Sequence, residues 1–171
     1  MFLTRFRQGI YALFAWARPV DDAPAVATLP PNLLTLFYQM SRREQQHALE
    51  VLATLRANGA THPALLQAGL LHDLGKLRAP FYVWERVMVV LTEAAVPELA
   101  HAWGAGEPRG WRRPFVIRRQ HAAWSAELVA AAGGDPLTVE LIRRHQDKLI
   151  GAPHTEADHL LLALQAADDA N

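Results

Sequence analysis

The spacing of apolar residues is the feature of this sequence that most constrains its fold. Apolar side chains recur every three or four residues along nearly the whole chain, and no segment alternates apolar and polar residues as a half-buried strand does. Capping signals divide the pattern, such as Ser41 and Glu44 before one helix and Asn58-Gly59 after it. The sequence therefore predicts an all-α fold, a single globular bundle of about seven helices.

The chain divides into three predicted regions. Residues 1–19 carry an apolar stripe at helical spacing and are predicted to form an amphipathic helix that packs on the rest of the protein. Two arginines precede a short apolar run within this stretch, so a secretory signal and an interfacial membrane helix are the alternatives. Residues 20–31 are predicted to be a proline-rich linker, and residues 32–171 to form the main domain.

Composition excludes several classes of protein. A chain of 171 residues that is 51% hydrophobic has the size of one domain and can build a core without disulfides. It has no cysteine, which rules out disulfides, thiolate metal sites and a cysteine nucleophile and fits a cytoplasmic location. Basic and acidic residues balance at 17 each, so no stable nucleic-acid partner is expected. No apolar run is long enough for a transmembrane segment.

Six imidazole and carboxylate side chains follow the order of the predicted helices. They are His47, His72, Asp73, His121, His145 and Asp168. The steps from 47 to 72, from 121 to 145 and from 145 to 168 are 25, 24 and 23 residues, about one helix and a turn each. Side chains at such intervals can converge inside a bundle. A ligand set without sulfur suits Mn, Fe, Mg, Ni or Zn, in a hydrolytic or oxygen-handling site.

This ordered set resembles the H…HD…D signature of the HD superfamily of metal-dependent phosphohydrolases. The local matches are "QHALEVLATL", "LLHDLGK", "HAAWSAELVAAAG" and "LQAADDAN", which span roughly residues 40–170. The resemblance implies that one metal ion is bound by His47, His72, Asp73 and Asp168. It further implies that Asp73 bridges to a second divalent ion, held by His121 and His145. Asp169 is an alternative last ligand, but the family pattern of alanine followed by aspartate favours Asp168.

Two further features bear on activity. Lys76 matches the lysine of the family's HD-x-G-K variant, which implies contact with a substrate phosphate beside the catalytic Asp73. The HD-GYP branch, which hydrolyses cyclic dinucleotides, has two adjacent histidines and a Gly-Tyr-Pro motif. Here His145 is followed by Gln146, and the nearest echo of that motif is Gly151-Ala152-Pro153. This departure argues against hydrolysis of cyclic di-GMP.

Clustered arginines favour an anionic substrate. Residues 108–126 contain five arginines and no acidic residue, and two more arginines directly precede His145. The predicted phosphate-binding residues are Lys76, Arg112, Arg113, Arg118, Arg119, Arg143 and Arg144. For any single arginine a solvated basic surface is the alternative, and Trp111 could stack on a base or anchor its loop. The remaining histidines, His62, His101, His154 and His159, are expected to be surface or capping residues.

Together these features predict a metal-dependent phosphohydrolase. Its substrate would be a small phosphate ester or anhydride, such as a nucleotide, cleaved by a metal-activated hydroxide. One alternative is an HD-type mixed-valence di-iron oxygenase, since some relatives use a similar ligand set for that chemistry. The other is a metal-binding signalling module without turnover.

Overall fold

The computed structural model describes residues 20–79 and 82–171, which form nine α-helices and two short 3-10 turns and contain no strand. The helices are α1 (Ala23–Val26), α2 (Pro31–Gln39), α3 (Arg42–Ala57), α4 (Pro63–Leu71), α5 (Val83–Ala95), α6 (Pro97–Trp103), α7 (Arg113–Ala131), α8 (Pro136–Arg144) and α9 (Glu156–Asp169). The 3-10 turns are Leu74–Leu77 and Gly110–Arg112. The all-α prediction is confirmed. The predicted N-terminal helix lies outside the described residues.

Local capping explains where several helices begin. The predicted capping box is present at α3, where the Ser41 hydroxyl accepts a hydrogen bond from the backbone N–H of Glu44, whose side chain reaches back to Ser41. At α8, the Asp135 carboxylate accepts from the N–H groups of Leu137 and Thr138, at 2.9 and 3.2 Å. These side chains satisfy N–H groups that have no partner inside their helix.

One of the seven predicted helices lies outside the described residues, and those residues hold nine, so three helices were not predicted: α1, α2 and α6, each with a proline in its first turn. Pro31 lies at the end of the predicted linker but occupies the first turn of α2, and Pro97 occupies the first turn of α6, where the missing N–H of a proline costs nothing. Leu33 and Phe37, one turn apart on α2, are fully buried and hold that helix on the core. The one-turn helix α1 lies within residues 20–31, and the division of the chain into linker and domain stays a prediction.

The helices enclose one large core and one small core. Buried side chains from α1 to α4 pack with those of α7, α8 and α9 in the large core. The small core consists of Val89, Ala100 and Phe115, from α5, α6 and the start of α7. Helix α7 therefore joins the two cores. None of the described helices is both long and apolar enough to cross a membrane.

A close contact fixes the turn after α4 against α7. A Cβ atom at Gly75 would lie 2.2 Å from the carbonyl oxygen of His121 and 2.8 Å from the backbone nitrogen of Ser125. The N–H of Gly75 donates to the Ser125 hydroxyl at 2.7 Å, and that hydroxyl donates to the His121 carbonyl at 2.9 Å. This contact places Asp73, two residues before Gly75, beside the middle of α7.

Candidate metal centre

The six predicted ligand residues come from five segments and meet at one place in the bundle. His47 lies on α3, His72 and Asp73 follow α4, His121 lies on α7, His145 directly follows α8, and Asp168 lies in the last turn of α9. Their ligand atoms form two groups in which every pair lies within 4.8 Å. The first group is His47, His72 and Asp168, and the second is Asp73, His121 and His145. Each group could hold a metal ion.

The Asp168 carboxylate faces the other two members of the first group, His47 and His72. Its Oδ1 atom lies 2.9 Å from Nε2 of His47 and 3.4 Å from Nε2 of His72. The neighbouring Asp169 is exposed. The helical register of α9 therefore turns Asp168 inward and Asp169 outward.

The Asp73 carboxylate lies between the two groups. Its Oδ1 atom is 3.4 Å from Nε2 of His121, in the second group. Its Oδ2 atom is 3.8 Å from Nε2 of His72 and 4.0 Å from Nε2 of His47, in the first group. Asp73 is 5% exposed, so both oxygens are directed to groups inside the protein. Each group thus has one Asp73 oxygen facing it.

Backbone carbonyls orient three of the four histidines. The Nδ1 atoms of His72, His121 and His145 lie 3.0, 3.0 and 2.7 Å from carbonyl oxygens three or four residues earlier. A carbonyl only accepts, so each Nδ1 carries the proton and donates it. The Nε2 atom of each ring is then turned toward the centre. A backbone acceptor at one ring nitrogen is the usual partner of a histidine that binds metal through the other.

The donor set fits a divalent metal ion. Among the residues that the structure describes, Nε2 of His72 is buried and has no hydrogen-bond partner. An unsatisfied buried nitrogen costs free energy, and a cation at that position would remove the cost. Imidazole nitrogens and carboxylate oxygens together suit Mn, Fe, Ni and Zn.

The two carboxylates are ionised at neutral pH. Burial alone would raise the pKa of Asp73, but the positive charges of His72 and Lys76 hold that pKa well below its usual range. Burial also opposes ionisation of Asp168, but the neighbouring imidazoles of His47 and His72 keep its pKa below the usual range. Metal binding requires carboxylates in this deprotonated form.

The pKa values of the buried His145 and His72 are shifted in opposite directions. Burial lowers the pKa of His145 to about 3, with help from the charges of His72 and His121. Burial also acts to lower the pKa of His72, but the nearby Asp73 and Asp168 carboxylates outweigh it and raise that pKa. His145 is therefore neutral at pH 7, ready to bind metal. At His72, a proton and a metal ion compete for the same nitrogen.

Two cationic side chains accompany the centre. The Lys76 ammonium contacts the Asp73 carboxylate, and the Lys76 side chain is 10% exposed. Arg86, on α5, has its pKa lowered by burial and by the charge of Arg43, while the charge of Asp73 partly offsets this. Arg86 was missed at the sequence level, because α5 contains no predicted ligand. Its proximity to Asp73 depends on how α5 packs.

Four of the six predicted phosphate-binding arginines are engaged within the protein. Their partners are the buried Glu85 for Arg113, Glu93 for Arg118, the His101 carbonyl for Arg119, and Glu140 and Asp158 for Arg144. Arg143 is exposed, and so is Arg112, whose guanidinium lies 5.2 Å from the ring centroid of Trp111. Trp111 packs edge-on against Trp103, at 4.8 Å between ring centroids, which anchors its loop. Phosphate binding by these arginines stays a prediction.

The histidines outside the set lie where the sequence placed them. His62 caps α4, with its Nδ1 atom accepting from the N–H of Ala64 at 3.2 Å. His101, His154 and His159 are exposed.

One further side chain reaches the second group. The Nε2 atom of Gln146 lies 2.9 Å from Nε2 of His121. At the sequence level Gln146 marked only a departure from the HD-GYP pattern. Its contact with His121 joins residues 25 positions apart, and no local signal indicates it.

Comparison with known families agrees with this geometry. The family model of the HD domain matches residues 45–170, so the chain belongs to the HD domain family. The resemblance seen in the ligand order is thereby confirmed. HD domains form a superfamily of metal-dependent hydrolases, and this chain carries histidine and aspartate groups that could hold metal. Comparison with curated proteins and with solved structures gave no match.

Proposed function

We propose that this protein is a phosphohydrolase that cleaves a small phosphate ester or anhydride with two divalent metal ions. The observation that carries the proposal is the position of Asp73, whose Oδ1 faces His121 while its Oδ2 faces His47 and His72. A carboxylate between two ligand groups is suited to a two-metal site, which can stabilise both the attacking and the leaving oxygen in phosphoryl transfer.

Each of the two groups of side chains would hold one of the two metal ions. His47, His72 and Asp168 would hold one ion, His121 and His145 the other, and Asp73 both. Metal ions held there would supply a nucleophilic hydroxide at neutral pH and neutralise charge on the phosphoryl group. The buried carbonyl acceptors keep the histidine rings in the required orientation without any rearrangement.

The chain's own cations would bind the substrate. Lys76 is nearly buried beside Asp73, so its ammonium can donate hydrogen bonds to a phosphate oxygen at the reacting end of the substrate. Arg86 adds positive charge close to Asp73, and Arg43 lies near Arg86. Positive charge at this position would attract an anionic substrate.

Metal analysis combined with a substrate panel tests the proposal. Protein purified without chelator is analysed for bound metal. Phosphate release is then measured over nucleoside mono-, di- and triphosphates and simple phosphate esters, with Mn²⁺, Fe²⁺ or Mg²⁺ added. The wild-type protein should bind two equivalents and release phosphate from at least one substrate class.

Adjacent aspartates offer a matched pair of variants. Asp168→Ala should lose metal and activity, while Asp169→Ala, which changes an exposed side chain, should keep both. Oxygen consumption by an iron-loaded protein that releases no phosphate would identify an oxygenase instead. Bound metal with neither activity would identify a binding module. Either result would overturn the proposal.

A further inference from the structure

We propose that Gln146 is an additional ligand of the second metal ion, with its carboxamide oxygen joining Asp73, His121 and His145. This inference rests on the proposed function, because it requires that the second group holds an ion. It assigns a role to the residue that occupies the position after His145.

The contact between Gln146 and His121 places the carboxamide on the metal-facing side of the imidazole. Nδ1 of His121 donates to the Ile117 carbonyl, so Nε2 carries the lone pair that accepts from Gln146 at 2.9 Å. Two ligand atoms with metal bonds of about 2.1 Å at right angles are about 3.0 Å apart. The carboxamide thus already has the spacing of a neighbouring ligand, as Asp168 and His47 do in the first group at 2.9 Å.

A carboxamide can exchange its donor and acceptor with little movement. Its oxygen and its NH₂ group are bonded to the same carbon, so a half-turn about the last side-chain bond exchanges them. The NH₂ group faces His121 when the Nε2 lone pair is free. When a cation binds that lone pair, His121 no longer accepts a hydrogen bond from the NH₂ group. The carboxamide is then more stable with its oxygen facing the cation. Carbonyl oxygens suit Mn and Mg, and a group of three protein ligands leaves positions open for one more.

The backbone around Gln146 is held in place on both sides. The side chain of Gln165, on α9, donates to the carbonyl of His145 at 3.0 Å and to that of Asp147 at 2.8 Å. Ligands held by such supporting contacts bind metal with less loss of conformational entropy. The segment that carries Gln146 is therefore prepared to present its carboxamide to the second group.

Metal titration of three variants tests this role without relying on activity. Wild-type protein should bind two equivalents of Mn²⁺ by calorimetry or by electron paramagnetic resonance of free Mn²⁺. Gln146→Ala should keep one tight equivalent and bind the other at least about tenfold more weakly. Gln146→Glu keeps an oxygen at this position and should retain both equivalents. Gln120→Ala is the matched control, since Gln120 adjoins His121 but donates to the carbonyls of Gly104 and Gly106.

The possible results separate this inference from the proposed function. If wild type and Gln146→Ala both bind two equivalents with equal affinity, Gln146 is no ligand and the proposed function stands. Equal losses in Gln146→Ala and Gln146→Glu would show that packing, not the oxygen, matters, and would also overturn the inference. So would the same loss in Gln120→Ala. A wild-type protein that binds only one equivalent at saturation would overturn both proposals.

Discussion

At the scale of single residues, the centre depends on which atom of each side chain faces inward. The buried rings of His72, His121 and His145 each use Nδ1 to satisfy a backbone carbonyl, which leaves Nε2 for the centre. Asp73 divides its two oxygens between the groups, and Lys76 contacts the same carboxylate. A small rotation of the Asp73 carboxylate would therefore change which of the two groups each of its oxygens faces.

Removing the Lys76 ammonium should separate substrate binding from metal binding. Lys76 and a metal ion compete for the Asp73 carboxylate, so Lys76→Ala should bind metal at least as tightly as wild type. Loss of a charged hydrogen bond to substrate phosphate should lower kcat/KM by about tenfold to a hundredfold. Steady-state kinetics and metal analysis of the same sample check both parts. Loss of metal together with activity would instead give Lys76 a structural role.

At the scale of secondary-structure elements, two contacts set the positions of the ligand-bearing segments. The turn after α4 lies against α7 through Gly75 and Ser125. Helices α8 and α9 are joined by Arg144 and Asp158, at 2.7 Å. The first contact positions Asp73 relative to His121, and the second ties together the helices that carry the last two ligands.

The contact between Gly75 and α7 should be sensitive to a single methyl group. In Gly75→Ala the new Cβ would meet backbone atoms of α7, which cannot move aside as a side-chain end can. Overpacking of this kind costs about 1–3 kcal/mol and should separate Asp73 from His121. Ser125→Ala should cost a similar amount, about 1–3 kcal/mol, because the buried Gly75 N–H loses its acceptor.

Urea unfolding of metal-free protein measures both losses, and Mn²⁺ titration of Gly75→Ala measures the effect on the centre. If Gly75→Ala has the same urea midpoint and the same metal affinity as wild type, the turn can move away from α7 without cost, which would contradict this prediction.

The contact between α8 and α9 should depend on pH in a defined direction. Hydrogen bonds from Arg144 and Thr155 hold the pKa of Asp158 below its usual range. A carboxyl whose pKa is lowered by folding contributes stability above its unfolded pKa of about 3.9, and this contribution is lost as the pH falls through the folded value. Asp158→Asn should therefore be less stable than wild type at pH 7, by a difference that narrows below about pH 4.

Urea unfolding of the two metal-free proteins across this pH range gives the comparison. A difference in unfolding free energy that stays constant from neutral to acid pH would contradict the assigned role of Asp158.

At the scale of the whole molecule, the centre links the elements of the large core. Its six candidate ligands come from α3, α7 and α9 and from the segments that follow α4 and α8, so the centre is complete only when the bundle is assembled. A metal ion that binds this arrangement and not the unfolded chain shifts the equilibrium toward the folded state. Metal binding should thus be visible in the stability of the entire protein.

Metal should raise the melting temperature in two separable parts. At a hundredfold excess over Kd, each ion adds about 2.7 kcal/mol, which corresponds to roughly 5–10 °C for a chain of this size. His121→Ala should lose one equivalent and keep part of the rise, because the first group remains complete. His159→Ala, which alters an exposed histidine, should keep the whole rise. Differential scanning calorimetry with and without Mn²⁺ checks this, and an unchanged rise in His121→Ala would contradict two ions.

Much of the architecture could be predicted from the sequence, because the signals that set it are local. Periodic apolar residues and caps such as Ser41 identify individual helices from neighbouring residues alone. The order of His47, His72-Asp73 and Asp168 likewise indicated the HD family, which the match to residues 45–170 confirms. The helices that the sequence did not predict are α1, α2 and α6, each with a proline in its first turn, because a proline can end one helix and also begin another.

What the tertiary structure alone decided are the contacts between residues far apart in the chain. The sequence predicts phosphate binding by arginines of residues 108–126, but it does not show that Glu85 and Glu93, which lie on α5, pair with two of them. Arg86 and Gln146 lie beside the centre only because of how the helices pack. The sequence around each residue contains no signal of this position. Helical periodicity determines which face of a helix is buried, but side-chain partners across that face depend on the positions of all the helices together.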